Sequence, residues 1–137
     1  MIFVDSSAWV AIEDKRDINH PAALEFGREI ALTKNRLITT NYVLDETYTI
    51  LLLDLGYTRV VKFKQELDEL INRNLLVVIH VSLEIEKDAW KVFEHFNKDK
   101  FWSFTDCTSK VVMGNYSIAE SFTFDKHFEQ MGFVKRP

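Results

Sequence analysis

Short apolar runs alternate along the chain with longer stretches in which apolar residues recur every three or four positions. The first run, Ile2-Phe3-Val4, ends at Asp5 and predicts a buried strand. Ser6 to Asp14 predicts a helix that buries Trp9, Val10 and Ile12. After the polar connection Lys15-Arg16-Asp17, Asn19-His20-Pro21 reads as a helix start, with proline near the first helical position. That helix runs to about Leu32, with Ala22, Phe26 and Ile30 at successive i, i+4 spacings. Leu37 to Thr40 predicts a second strand. Asn41 is the expected cap of a helix over Tyr42 to Leu55, stopped by Gly56. Thr58 is the expected cap of the next, which reaches about Arg73.

Leu75 to Val81 is continuous and β-rich, the pattern of a strand covered on both faces. Ser82 opens a helix to about Phe96, and Ser103 opens another to about Gly114. Ala119 to Phe124 predicts a strand, Asp125 a short helical turn, and Gly132-Phe133-Val134 an edge strand. Strands alternating with helices of this length predict an α/β fold of three layers, α/β/α, around a central, mainly parallel sheet. With no internal repeat and no second-domain signal, residues 1–137 read as a single domain. Right-handed crossovers put the strand C-termini along one edge, and ligands of such sheets bind outside that edge.

Composition narrows the function classes. Apolar residues make up 47% and charged residues 28%, as in ordinary globular proteins. A net charge of −4 disfavours a globally basic nucleic-acid binder but not a nuclease, whose metal ligands are themselves acidic. One cysteine, Cys107, excludes an internal disulfide framework, and the absence of any Cys/His cluster excludes a structural zinc site. The N-terminus lacks the features of a signal peptide, and no run approaches the length of a membrane span. The expectation is a cytoplasmic protein with no membrane contact.

The acids carry the chemistry. Asp5 ends the first strand, and Asp125 follows the strand at 119–124. Asp106 lies in the first turn of a helix, and Glu46 about one turn into the helix that leaves the second strand. All four are expected at the same sheet edge. Close carboxylates repel, so such a cluster suits a hard cation, Mg²⁺ or Mn²⁺. Taken singly, three of them also fit structural roles. Asp5 suits a helix cap, Asp106 the acidic half of a Ser103-x-x-Asp106 box, and Asp125 an N-cap. Glu46 differs, because it stands three residues after Val43 and four before Ile50, on an apolar stripe. Its neighbour Asp45 lies with Tyr42 and Thr49 and is the weaker candidate.

Four blocks now stand in order along the chain: Val4-Asp5-Ser6-Ser7-Ala8-Trp9, Thr39-Thr40-Asn41-Tyr42-Val43-Leu44-Asp45-Glu46, Ser103-Phe104-Thr105-Asp106-Cys107, and Thr123-Phe124-Asp125-Lys126-His127-Phe128. Together they resemble the acidic blocks of PIN-domain ribonucleases, and most of all the VapC toxins of prokaryotic toxin–antitoxin pairs. The resemblance implies Asp5, Glu46, Asp106 and Asp125 as catalytic metal ligands, with Asp5 and Asp106 the main ones, and Ser7 as a hydrogen-bond donor behind them or to substrate. It also implies hydrolysis of RNA to a 5′-phosphate and a 3′-hydroxyl, a small antitoxin partner and a homodimer. The helices at 41–73 fit the last expectation, since Leu51, Leu52, Leu53, Leu55, Tyr57 and Phe63 exceed what one core face needs.

Other residues weigh less. His20, His80, His95 and His127 show no metal-ligand spacing; His80, in a predicted strand, reads as core or edge, and His127, just after Asp125, reads as a surface residue with a substrate contact as the alternative. Cys107 lacks a histidine partner for nucleophilic catalysis. Trp9, Trp90 and Trp102 read mostly as core, with Trp102 a candidate for stacking on a base. Lys15, Arg16, Lys98, Lys100, Lys110 and Lys126 form a candidate phosphate-contacting rim. The competing classes are a phospho-acceptor receiver, a haloacid-dehalogenase-type phosphatase, a housekeeping PIN nuclease and a non-catalytic RNA-binding PIN module. Ser6-Ser7 after Asp5 and Val81-Ser82 after the third strand disfavour the first, and Ser7 in place of a second Asp disfavours the phosphatase.

Overall fold

The computed structural model describes residues 1–137. Five parallel strands form one sheet in the order β3-β2-β1-β4-β5. They are β1 (Ile2–Val4), β2 (Leu37–Thr40), β3 (Leu76–Ile79), β4 (Glu120–Phe122) and β5 (Val134–Arg136). Seven helices flank it: α1 (Ser6–Glu13), α2 (His20–Thr33), α3 (Asn41–Leu55), α4 (Tyr57–Asn72), α5 (Leu83–Phe96), α6 (Phe104–Asn115) and α7 (His127–Gln130). This is the expected three-layer α/β/α architecture with a parallel central sheet.

The central strand β1 is fully buried, because both its neighbours and both helical layers cover it. Phe3 packs toward α7, with its ring 6.1 Å from that of Phe128. Phe122 of β4 meets Phe26 of α2 edge to face at 4.9 Å. A smaller cluster of Ala89, Trp102, Cys107 and Met131 ties α5, α6 and α7 together. The register aligns Val4 with Phe122 and Phe3 with Ile38, so the chain leaves β1, β2 and β4 at one level of the same edge.

Several local expectations are corrected. The run at 75–81 is an edge strand, and Val77, Val78 and Ile79 are only half-buried. Its apolar pattern comes from packing on α4 and β2 rather than from cover on both faces. Thr40, not Asn41, caps α3 by accepting from the Val43 amide; Asn41 instead accepts from the amide of Val81, tying β2 to the exit of β3. Gly56, not Thr58, precedes α4, and its φ of 87° makes the sharp break between the two helices. The final strand begins at Val134, two residues later than expected.

Candidate active site

Each acid is held by the local structure that the chain must form anyway. Asp5 is the N-cap of α1. Its Oδ2 accepts from the Ser7 hydroxyl (2.7 Å), the Ser7 amide (3.3 Å) and the Thr123 hydroxyl (3.0 Å). Its Oδ1 meets only the Ser6 hydroxyl, at 3.5 Å. Asp106 closes a capping box with Ser103: its Oδ2 accepts from the Ser103 amide at 3.1 Å, and the Ser103 hydroxyl accepts from its amide at 2.9 Å. Oδ1 of Asp5 and Oδ1 of Asp106 point at no backbone donor. Asp125 accepts from the amide of His127 through Oδ1, at 2.9 Å, which leaves its Oδ2 unbonded. The structural roles foreseen for Asp5 and Asp106 are therefore real, and each spends mainly one oxygen. The cap fixes the plane of the carboxylate and leaves its other oxygen for the crevice.

The four acids lie near one another at the C-terminal edge of the sheet, where Asp5 and Asp125 act on both Glu46 and Asp106. Burial, then the charges of Asp5 and Asp125, push the Asp106 carboxyl up to about 6. Burial also raises Asp5, against the hydrogen bonds of Ser7, Ser6 and Thr123 that lower it. Glu46 is raised by burial, partly offset by the Ser6 hydroxyl, and then by Asp5, Asp125 and Asp45. Glu46 is half-buried while Asp45 is exposed, which supports the choice between them. No Lys or Arg pairs with any of the four. The one basic side chain among them is His127, whose Nδ1 lies 3.3 Å from Asp125 Oδ1 and 3.4 Å from Asp106 Oδ2.

The tightest set of possible ligand atoms differs from the expected one. Asp106, Asp125 and His127 offer donors that all lie within 4.8 Å of one another, with Asp5 and Glu46 bordering them. His127, which reads as a surface residue in the sequence, is thus inside the crevice. The signal was its place two residues after Asp125, where the turn that caps α7 folds the imidazole back over the carboxylates. Thr123 was not singled out either. Its hydroxyl links Asp5 Oδ2, the Ser7 hydroxyl (3.1 Å) and the Asp125 amide (3.0 Å), and Ser7 in turn accepts from the Phe124 amide at 3.0 Å. This network ties the end of β1 to the end of β4.

Other candidates fall away. Cys107 is buried and its thiol is pushed up to about 11, chiefly by burial, so it is inert at neutral pH. Trp102 is buried and its indole N–H donates to Gln130 Oε1 at 2.9 Å, so it cannot stack on a base. Trp90, read as core, is instead 54% exposed and stacked on Phe93. In the basic rim, Arg16 is committed to Asp14 and the carbonyl of Asp54, and Lys110 to the carbonyl of Met131 and the ring of Phe133. His80 is exposed just past β3.

A parallel sheet whose C-terminal edge gathers four acids from segments 120 residues apart is the arrangement of PIN domains, and residues 2–134 match the model of the PIN domain family. The chain belongs to this family. It is 33% identical over 136 residues to the 23S rRNA-specific endonuclease VapC20 of Mycobacterium tuberculosis, covering 98% of this chain and 97% of that protein. It is 26% identical over 126 residues to a VapC ribonuclease of Archaeoglobus fulgidus, covering 91% of this chain and 77% of the relative. The crystal structure of the M. tuberculosis VapC20, described as a sarcin–ricin loop cleaving toxin, superposes with a TM-score of 0.83 at 31% identity and full coverage of both chains.

Proposed function

We propose that this chain is the RNA-cleaving toxin of a toxin–antitoxin pair, an endoribonuclease that hydrolyses phosphodiester bonds with Mg²⁺ or Mn²⁺ held by Asp5, Glu46, Asp106 and Asp125. The observation that carries the reading is a set of four buried or half-buried acids with no Lys or Arg to neutralise them, in a chain of the PIN family. The donor chemistry fits a hard divalent cation, since carboxylate oxygens dominate and the capping bonds leave free oxygens facing inward. When bound, such a cation acidifies a water and offsets charge on the phosphate under attack.

The chain's own residues do the rest. Ser7 and Thr123 hold the Asp5 carboxylate in one orientation through three hydrogen bonds to a single oxygen. Ser103 orients Asp106 through the single bond from its amide to Oδ2. Burial raises the proton affinities of Asp5, Glu46 and Asp106, and neighbouring carboxylates add to the rise for Glu46 and Asp106, so the charged forms are disfavoured when no cation is present. Exposed Lys126, beside the crevice in sequence, is the surviving nearby candidate for a phosphate contact.

One feature of the fold supports the antitoxin reading. An apolar groove of about 670 Å³ runs between α1, α2 and α4, lined by Trp9, Ile12, Ile30, Phe63, Leu67 and Leu70. Lys34, Asn35, Leu37, Arg73 and Leu75 also line it, at the starts of β2 and β3, and none of the four acids does, so an antitoxin that fills it must continue around the molecule to reach them. The groove suits an apolar helix of an antitoxin whose adjoining Arg enters the acidic crevice and pairs with two carboxylate oxygens. Replacing that Arg by Ala should restore cleavage more than it weakens binding. For the homodimer, Leu51 and Phe63 are buried in the chain's own core, while Leu52, Leu53, Tyr57 and Val61 stay exposed at the α3–α4 corner. A second copy covers them. Sedimentation showing only a species of about 16 kDa at micromolar concentration would remove the dimer. No helix is long and apolar enough to cross a membrane, and the proposed place of action is the cytoplasm.

The direct test is incubation of the purified chain with ribosomal RNA and with unrelated structured RNA, each with Mg²⁺, Mn²⁺ or a chelator. The expected result is cation-dependent cutting with 5′-phosphate ends. RNA left intact with either ion, or cut equally well with chelator present, overturns the reading.

A further inference from the structure

Three features of His127 are not explained by packing. Its Nδ1 is buried and has no hydrogen-bond partner, although two carboxylate oxygens lie 3.3 and 3.4 Å away. The ring is held at the start of α7, where its own amide is already tied to Asp125. Its nitrogen also belongs to the most compact set of donor atoms in the crevice. A nitrogen that faces two carboxylates without making a well-aligned bond to either is placed as a neighbouring ligand rather than as a donor. Adjacent ligands on one six-coordinate ion with bonds of about 2.1 Å stand roughly 3.0 Å apart, within a few tenths of an ångström of these separations. Asp106 Oδ2 and Asp125 Oδ1 each accept one amide as well, and each carries a second lone pair for the ion.

We propose that His127 is a nitrogen ligand of the catalytic cation, sharing it with Asp106 and Asp125. This rests on the metal-dependent reading of the site and deepens it. An all-oxygen site accepts Mg²⁺ readily, whereas an imidazole favours first-row transition ions over Mg²⁺. The enzyme is therefore tuned away from Mg²⁺ and toward Mn²⁺ or a related ion. Among the four histidines His127 is the one in this crevice; His20, for example, is bonded to the carbonyl of Ala11 through Nδ1. A nitrogen signal from the bound ion can then be assigned.

The experiment loads the full chain with Mn²⁺ and records pulsed electron paramagnetic resonance for coupling to ¹⁴N, beside calorimetric titration with Mn²⁺ and with Mg²⁺. The wild type should show the imidazole nitrogen coupling, and His127→Ala should lose it. Mn²⁺ affinity should fall at least tenfold in the variant, and Mg²⁺ affinity less than threefold. A wild-type spectrum with bound Mn²⁺ but no nitrogen coupling overturns the His127 assignment and leaves the carboxylate site standing. Coupling that survives in His127→Ala overturns it as well. Wild-type protein that binds no Mn²⁺ overturns both this assignment and the metal-dependent reading. Because the wild-type spectrum decides the first question, a variant that fails to fold does not shield the proposal.

Discussion

Two groups of buried acids lie at opposite ends of α1, and the chain treats them differently. At the C-terminal end, Glu13 is buried and pairs with Arg59 of α4, and the adjacent Asp14 pairs with Arg16 at 3.0 Å. At the N-terminal end, Asp5 is 3% exposed and Asp106 7% exposed, and neither meets a Lys or Arg. The first group has its countercharge built into the fold. The second is surrounded by hydroxyl and amide donors that orient the carboxylates without neutralising them. An uncompensated buried charge is expensive, and the proposed cation would supply the positive charge that the second group lacks.

The largest effect should come from removing a carboxylate from the open group. Asp5→Asn and Asp106→Asn keep the side-chain shape and should lower RNA cleavage by more than about 100-fold, beyond what loss of a residue behind a metal ligand usually costs. Wild-type rates in both variants would show that the two groups are not functionally different. The paired group should respond in stability instead. Arg59→Ala leaves Glu13 without its cation, and because Arg59 is about one-third exposed the loss should be limited to about 1–2 kcal/mol in urea denaturation. Burial outweighs Arg59 in setting the Glu13 proton affinity, so Glu13 can take a proton. The loss should therefore shrink at low pH.

A subtler test targets orientation. Ser7→Ala keeps every carboxylate but removes the 2.7 Å bond to Asp5 and strands the Phe124 amide, and should lower cleavage by roughly tenfold with the fold retained. The smallest effect should be on the metal-free protein. Asp106 binds its proton more tightly folded, at about 6, than unfolded, near 3.8. Its contribution is thus fully present below about pH 4 and is lost as pH rises through 6. Asp106→Asn should remove that loss, leaving the metal-free variant more stable than the wild type at pH 7 by on the order of 1 kcal/mol. Saturating Mn²⁺ should reverse the order. A wild type that remains the more stable without metal would mean that Asp106 is paired after all.

Asp5 and Asp125 were legible because each follows the apolar run of a strand, and Asp106 because Ser103 opens a helix just before it; a parallel α/β fold sends strand ends and the helix starts that follow them to one edge. Glu46 was legible because its neighbours three and four residues away are apolar. The edge position of β3 was not, since the run at 75–81 looks the same whether its partner strands lie on one side or two, and that depends on β2 and β1 far away in the chain. His127 was hidden because helical and strand periodicity say nothing about a four-residue turn, where the imidazole is aimed by an Asp–amide bond two residues long. Trp90 departs from its core reading because α5 presents its aromatic stripe beyond the reach of the core, while Trp102 keeps its core reading because the loop before α6 folds it inward onto Gln130.

The hydrogen bond from Thr123 to Asp5 joins residues 118 positions apart, and β4 is the neighbour of β1. During synthesis, Asp5, Glu46 and Asp106 all exist before the strand that aligns the first of them. Such a long-range contact closes late. The order of synthesis itself therefore delays assembly of the acidic cluster until β4 and Thr123 exist to align Asp5.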